Sequence, residues 1–328
     1  MNRFLRHVHG LTLTVCLAST PVSWAGSAKV LLYHHVSSDT PASTSVTPET
    51  FEAHLDLIAK EGYEVVPIAR IVDALVNETE LDSRWVAITF DDAYESVGQV
   101  AAPELERRGW PFTIFVSTDF VDRQHALYLS WDELRALEAE GATIANHTMG
   151  HEHMVRRGPD ESERDWMDRL AAEVTGAQTR LEAELEDPLR LFTYPFGEFT
   201  AEVAHLMRSL GFIAFGQQSG PVGATSNVHA LPRFPLARGF DSTDSLAEKL
   251  RTEHLPLVDP EPPATLLAAD AGAPLLELRI DDRAGIRPGN LTCFVAGQPQ
   301  TEVTWGEAGT VTVQAEKPLP PGRSKYTC

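Results

Sequence analysis

Between residues 29 and 215, short continuous apolar runs alternate with longer stretches whose apolar residues recur every three or four positions. Lys29–Tyr33 (KVLLY), 85–90 (WVAITF), 112–116 (FTIFV), 142–145 (ATIA), 191–194 and 212–215 read as buried strands. Between them lie helical patterns. Thr47 is placed as an N-cap with Pro48 at the first helical position, Phe51, Leu55 and Ile58 form a stripe, and Gly62 ends the helix. A helix is predicted over 97–108. Ser130 and Glu133 form a capping box that opens a third helix over 131–140. Trp166, Leu170, Val174, Ala177, Leu181 and Leu185 mark a long helix across 161–186, and 201–210 carries another that Gly211 stops. Regular strand–helix alternation implies a parallel sheet with helices outside it, and ligands in such folds gather at the C-terminal strand ends.

The pattern changes after residue 255. Pro260, Pro262 and Pro263 mark a linker over 256–273. Beyond it, 275–280, 291–295, 302–305 and Thr310–Gln314 alternate with period two, which predicts a small all-β module over 274–328. At the other end, Arg3 and Arg6 precede a short apolar run and Ser23-Trp24-Ala25, the pattern of an export leader cleaved after Ala25. The apolar run is too short to span a bilayer, and no other reaches the roughly 18 residues a membrane helix needs. The expectation is an exported chain, periplasmic or extracellular, without a transmembrane segment.

Composition narrows the function classes. The 328 residues carry 27 Lys+Arg against 47 Asp+Glu, a formal net charge of -20. That balance argues against nucleic acid and against an anionic membrane surface, both of which need clustered cations. Of three cysteines, Cys16 leaves with the leader; Cys293 and Cys328 are expected to pair in an oxidising compartment.

Polar residues that directly follow predicted strands are the candidates for chemistry. Asp91 and Asp92 follow the run 85–90, and adjacent carboxylates there are costly unless hydrated or bound to a cation. His147 and His151 follow 142–145, and a spacing of four lets two imidazoles meet one metal. Two histidines and a carboxylate make a three-ligand set with open positions, suited to catalytic zinc or iron. His34 and His35 end the first strand, where either can face the site or pack away from it.

Thr89-Phe90-Asp91-Asp92, then His147-Thr148-Met149-Gly150-His151, then Tyr194-Pro195-Phe196-Gly197 resemble the ordered motifs of the polysaccharide deacetylases, the NodB-homology enzymes of carbohydrate esterase family 4. Tyr33-His34-His35-Val36 resembles the bacterial poly-N-acetylglucosamine deacetylase branch. The resemblance implies an α/β fold, a distorted (β/α) barrel over 26–255. It implies Asp92, His147 and His151 as ligands of one divalent metal, zinc before iron, cobalt or nickel. Asp91 is implied as general base and the Phe196 backbone N–H as oxyanion donor. Tyr194 and Phe196 would wall the sugar site, with Arg233, His34 and His35 as further substrate contacts. The implied reaction is hydrolysis of N-acetyl groups on an N-acetylglucosamine-containing polysaccharide, releasing acetate.

Three positions depart from the family pattern. Ala93 stands where a glycine is usual, Thr193 where an arginine often orients the base, and the usual acid histidine has His229 as its nearest counterpart. Two other readings stay open at this level: a non-catalytic carbohydrate-binding protein on the same fold, and a metal hydrolase of a small cyclic amide or imide.

Overall fold

The computed structural model describes residues 26–258, 266–268 and 270–328. The expected leader, and residues 259–265 and 269 of the expected linker, lie outside the described residues. The main sheet is built from β1 (Lys29–Tyr33), β2 (Trp85–Asp91), β3 (Thr113–Val116), β4 (Thr143–Asn146), β5 (Leu191–Thr193), β6 (Ile213–Phe215) and β7 (Phe234–Pro235). Its order is β7-β1-β2-β3-β4-β5-β6, every pairing is parallel, and the two-residue strand Glu64–Val65 joins β2 at its start. The chain just before β7 reaches back to β6. Leu231 pairs with Phe215, and Phe234 then pairs with Leu31 of β1. The sheet thereby closes into a distorted barrel.

Helices α1 (Pro48–Lys60), α2 (Ile68–Val76), α3 (Ala102–Arg107), α4 (Thr118–Asp122), α5 (Trp131–Ala139), α6 (Glu163–Glu184), α7 (Ala201–Ser209) and α8 (Thr243–Arg251) accompany the sheet. Thr47, Ser130 and Ser162 accept hydrogen bonds from backbone N–H groups at the starts of α1, α5 and α6, and α5 has the full capping box. The helix expected over 97–108 splits. Pro103 has no N–H to give the Gln99 carbonyl, and the turn Val97–Ala101 widens so that the Ala102 N–H bonds the Val97 carbonyl. The sequence reading does not contain α2, whose N-cap position is Pro67 and which has no side-chain cap.

Period-two alternation decides which strand residues enter the barrel. Leu31, Tyr33, Ile88, Phe90, Ile114 and Val116 pack outward with Phe51, Leu55 and Ile58 of α1. Val30, Ala87, Phe115, Ala145, Leu191, Phe215 and Leu231 form a separate buried cluster inside. The polar residues in phase with that inner set, Thr89, Asp91, His147, Thr193 and Arg233, are all buried.

After residue 274 come β8 (Leu275–Arg279), β9 (Cys293–Val295), β10 (Gln300–Thr301), β11 (Val303–Trp305), β12 (Thr310–Gln314) and β13 (Tyr326–Thr327). They form two antiparallel three-stranded sheets, β8-β12-β11 and β10-β9-β13. Ile280, Cys293, Val311 and Val313 are their buried centre, joined by Leu255 and Leu257 from the segment after α8. Cys293 and Cys328 form a disulfide. No helix among the described residues is long and apolar enough to cross a membrane.

Candidate active site

Asp92, His147 and His151 meet at the C-terminal ends of β2 and β4, and their ligand atoms lie within 4.8 Å of one another. Asp92 Oδ1 is 3.3 Å from Nε2 of both His147 and His151. Asp92 Oδ1 and His147 Nε2 are buried without a hydrogen-bond partner. Burying two such atoms unsatisfied costs roughly 1–3 kcal/mol each, so a group that binds both is the economical explanation. The donor set, one carboxylate oxygen and two imidazole nitrogens around one point, fits a divalent metal.

The tautomer of His147 follows from its other nitrogen. Nδ1 lies 2.8 Å from the Thr193 carbonyl, which can only accept, so Nδ1 carries the proton and Nε2 keeps its lone pair for a metal. Thr193 Oγ1 stands 2.6 Å from the same Nδ1. Asn146 shapes the loop that follows: its amide donates to the Val174 carbonyl of α6, and its Oδ1 accepts from the Thr148 N–H. The His151 N–H then bonds Thr148 Oγ1.

Asp91 is the last residue of β2 and points into the barrel. Both carboxylate oxygens accept from Arg233, at 2.7 Å each, and neither side chain of the pair is exposed. Burial alone would raise the Asp91 pKa; the Arg233 guanidinium outweighs it and holds the carboxyl below its ordinary value. Asp92 is likewise held low against burial, by the adjacent imidazoles, His147 first. Burial and the neighbouring His147 push His151 down to about 4.

Two expected substrate contacts lie elsewhere. Arg233, read from sequence as a substrate residue, is fully buried on Asp91 and also donates to Thr89 Oγ1 and the Gly216 carbonyl. The guanidinium facing Asp91 thus comes from the residue just before β7 and not from position 193. Tyr194, read as a wall of the sugar site, is fully buried outside the barrel, stacked on Phe199 with its hydroxyl donating to the His229 carbonyl. The reason is strand phase: Thr193 faces inward, so its neighbours Phe192 and Tyr194 face the helices.

His229 is held by the Phe212 carbonyl and faces Arg208 and His205 of α7. These contacts lie in the outer layer rather than at Asp92, His147 and His151. His34 is near enough to Asp91, Asp92 and His151 to act electrostatically on all three. His35 is buried, stacked on Tyr94, and pushed down to about 4 by burial and by His34.

Phe196 is half-buried at the rim. Its ring lies edge-on to His151 at 4.6 Å and flat on His153 at 3.8 Å, and His153 pairs with Glu198. Its φ is +59°, in a turn whose hydrogen bonds run from the Gly197 and Glu198 N–H groups to the Tyr194 and Pro195 carbonyls. Gly197 follows with φ +68°, and a Cβ there would lie 2.5 Å from that of Gln217. The Arg323 guanidinium of the C-terminal module donates to the Phe196 carbonyl. Among the described residues, five of the eight non-glycine positions with positive φ sit at this site: Asp92, Ala93, Thr148, His151 and Phe196. Strain concentrated in this way is characteristic of functional loops.

Sequence reasoning missed Thr193 as a partner of His147, Tyr94 as a partner of Asp92, and Arg323. Position in the motifs flags the first two, whereas nothing in the sequence near Arg323 points to the barrel.

A parallel barrel with this donor set beside a buried carboxylate is an arrangement that can hold a metal ion next to a proton acceptor. The polysaccharide deacetylase family model matches residues 78–215. YxkH of Bacillus subtilis (strain 168), named for that family, is 22% identical over 215 residues, covering 65% of this chain and 73% of its own. The poly-beta-1,6-N-acetyl-D-glucosamine N-deacetylase of Escherichia coli (strain K12) is 20% identical over 259 residues, 67% of this chain but only 38% of that enzyme. Among solved structures, the Streptococcus pyogenes deacetylase PplD with acetate superposes at TM-score 0.61, with 20% identity over 69% of this chain and 98% of its own. IcaB from Ammonifex degensii gives 0.60, with 22% identity over the same shares. Residues 78–215 therefore carry a polysaccharide deacetylase domain, and enzymes of that family are hydrolases of carbon–nitrogen bonds other than peptide bonds.

Proposed function

We propose that this protein is an exported, metal-dependent deacetylase that removes N-acetyl groups from an N-acetylglucosamine-containing polysaccharide. The observation that carries the proposal is the pair of orphaned buried atoms, Asp92 Oδ1 and His147 Nε2, set beside the Asp91–Arg233 ion pair. The similarity to the E. coli enzyme that acts on poly-beta-1,6-N-acetyl-D-glucosamine supports the choice of glycan. Export rests on the leader over 1–25, ahead of a catalytic domain over 26–255 and a β module over 274–328.

Asp92, His147 and His151 would hold the ion, zinc first, with iron, cobalt or nickel as alternatives. When bound it supplies a Lewis acid that polarises the acetamide carbonyl and acidifies water. Asp91, kept ionised by Arg233, accepts the proton of the attacking water. The Phe196 N–H donates to the oxyanion of the tetrahedral intermediate. We assign protonation of the leaving amine to His34 in place of His229, because His34 alone of the two lies among the site's charges. Proton transfers of this kind are worth roughly 10²–10⁴-fold each.

The test is acetate release from β-1,6- and β-1,4-linked N-acetylglucosamine oligomers, with metal analysis of the same sample. Activity is expected to vanish with chelator and to return with zinc. Asp92→Asn is expected to lose metal and activity together. Asp91→Asn should keep its metal and lose turnover by roughly 10²–10⁴-fold. Equal metal loss in both variants refutes the assignment of roles. Oligomer binding without acetate release by metal-loaded protein refutes the enzyme reading in favour of a binding protein.

A further inference from the structure

Beside the metal-ligand cluster an aromatic row runs toward the surface, and the mechanism does not use it. Tyr94, two residues after Asp92, stacks on His35 with ring centroids 3.5 Å apart. It is near enough to the Asp92 carboxylate and to Tyr128 to interact with both electrostatically. The segment around Tyr128 lies along the Asp92 loop: the Glu95 N–H bonds the Leu127 carbonyl and the Leu129 N–H bonds the Ala93 carbonyl, both at 2.9 Å. The Tyr128 ring lies 5.0 Å from that of Tyr94, 4.7 Å and nearly parallel to that of Phe120, and 5.3 Å from that of His125.

These rings are not core. The apolar residues that anchor the segment, Val121 and Leu129, are 2% and 1% exposed, whereas Phe120 and Tyr128 are half-buried and His125 is exposed. The chain has thus placed a partly solvated row of rings at the C-terminal ends of β2 and β3, the end that carries the ligand cluster. Half-exposed aromatic area contributes little to folding, but it suits the C–H face of a pyranose, which is apolar and edged by hydroxyls.

We propose that Phe120, Tyr128 and His125 form a subsite for the sugar unit adjacent to the one deacetylated, so that the glycan enters along the loop 118–129. This rests on the deacetylase reading above and adds to it a direction of binding and a requirement for a polymer. Its occupant is an uncharged pyranose of the substrate's own chain, because the row is continuous with the site and offers rings and hydroxyls rather than paired charges.

The experiment compares full-chain wild type with Phe120→Ala and Tyr128→Ala, on the β-1,6-linked N-acetylglucosamine pentamer and on the monomer. The ratio of pentamer to monomer kcat/KM is expected to fall about tenfold in each, carried by KM, at unchanged metal content. Tyr128→Trp should restore the ratio. Equal losses on both substrates, or an unmoved pentamer KM, overturn the subsite. If wild type releases acetate from neither sugar, the deacetylase reading fails on its own account. Calorimetric Kd values for the pentamer then decide the subsite: weaker binding by Tyr128→Ala supports it, and equal binding overturns it.

Discussion

Arg233 reaches Asp91 from 142 residues away in the chain, and both groups are sealed from water. Such a pair adds little net stability, but breaking it leaves a charge stranded. Arg233→Met is therefore expected to cost about 3–5 kcal/mol in urea unfolding at neutral pH. The sign with pH follows from the depressed Asp91 carboxyl. In the wild type the pair's contribution is present above the ordinary value of 3.8 and is lost as pH falls through the lower folded value. In the variant, burial is opposed only by the neighbouring His147 and His34, so Asp91 rises and takes up a proton on folding. The deficit relative to wild type should shrink as pH drops from neutral toward 5, and the acid limb of the activity profile should move upward.

At the scale of elements, β5 shows how strand phase assigns roles. Thr193 faces inward and fixes His147 through both its carbonyl and its hydroxyl, while the flanking Phe192 and Tyr194 bind α6 and α7 to the sheet. Thr193→Val keeps the volume and the carbonyl and removes only the hydroxyl. Metal affinity, read by competition with a chromogenic chelator, should fall about tenfold with little change in unfolding midpoint. An unchanged affinity would mean that the carbonyl alone orients the ring.

For the molecule as a whole, about a third of the net charge of -20 lies in one stretch. Residues 160–187 hold ten acidic and three basic residues, along α6, whose apolar stripe packs inward through Trp166, Leu170, Val174 and Leu181. The acidity is a solvated outer face and not a property of the site. The C-terminal module has four fully buried apolar residues at its centre, so its disulfide matters more than it would in the barrel. Closing a 35-residue separation, the Cys293–Cys328 bond should be worth about 2–4 kcal/mol to the module. Cys328→Ser, or a reductant, is expected to open protease cleavage within 274–328 while the barrel keeps its metal. Simultaneous loss of metal would mean that the Arg323–Phe196 contact supports the site itself.

Local chemistry made much of this legible in the sequence. Apolar period gave the parallel strands and the long helix, capping residues set the starts of α1 and α5, and residues directly after strands marked Asp91, Asp92, His147 and His151. These features depend on neighbours within a few positions, where backbone geometry is regular. Tertiary structure decided the rest: that Arg233 holds Asp91, that Tyr194 faces away from the site, that His34 rather than His229 stands among the charges, and that Arg323 touches Phe196. Each of these depends on barrel closure or on strand phase at a single residue. An ion pair spanning 142 residues leaves no local pattern, because what brings its partners together is the burial of the whole sheet and not the spacing of the residues themselves.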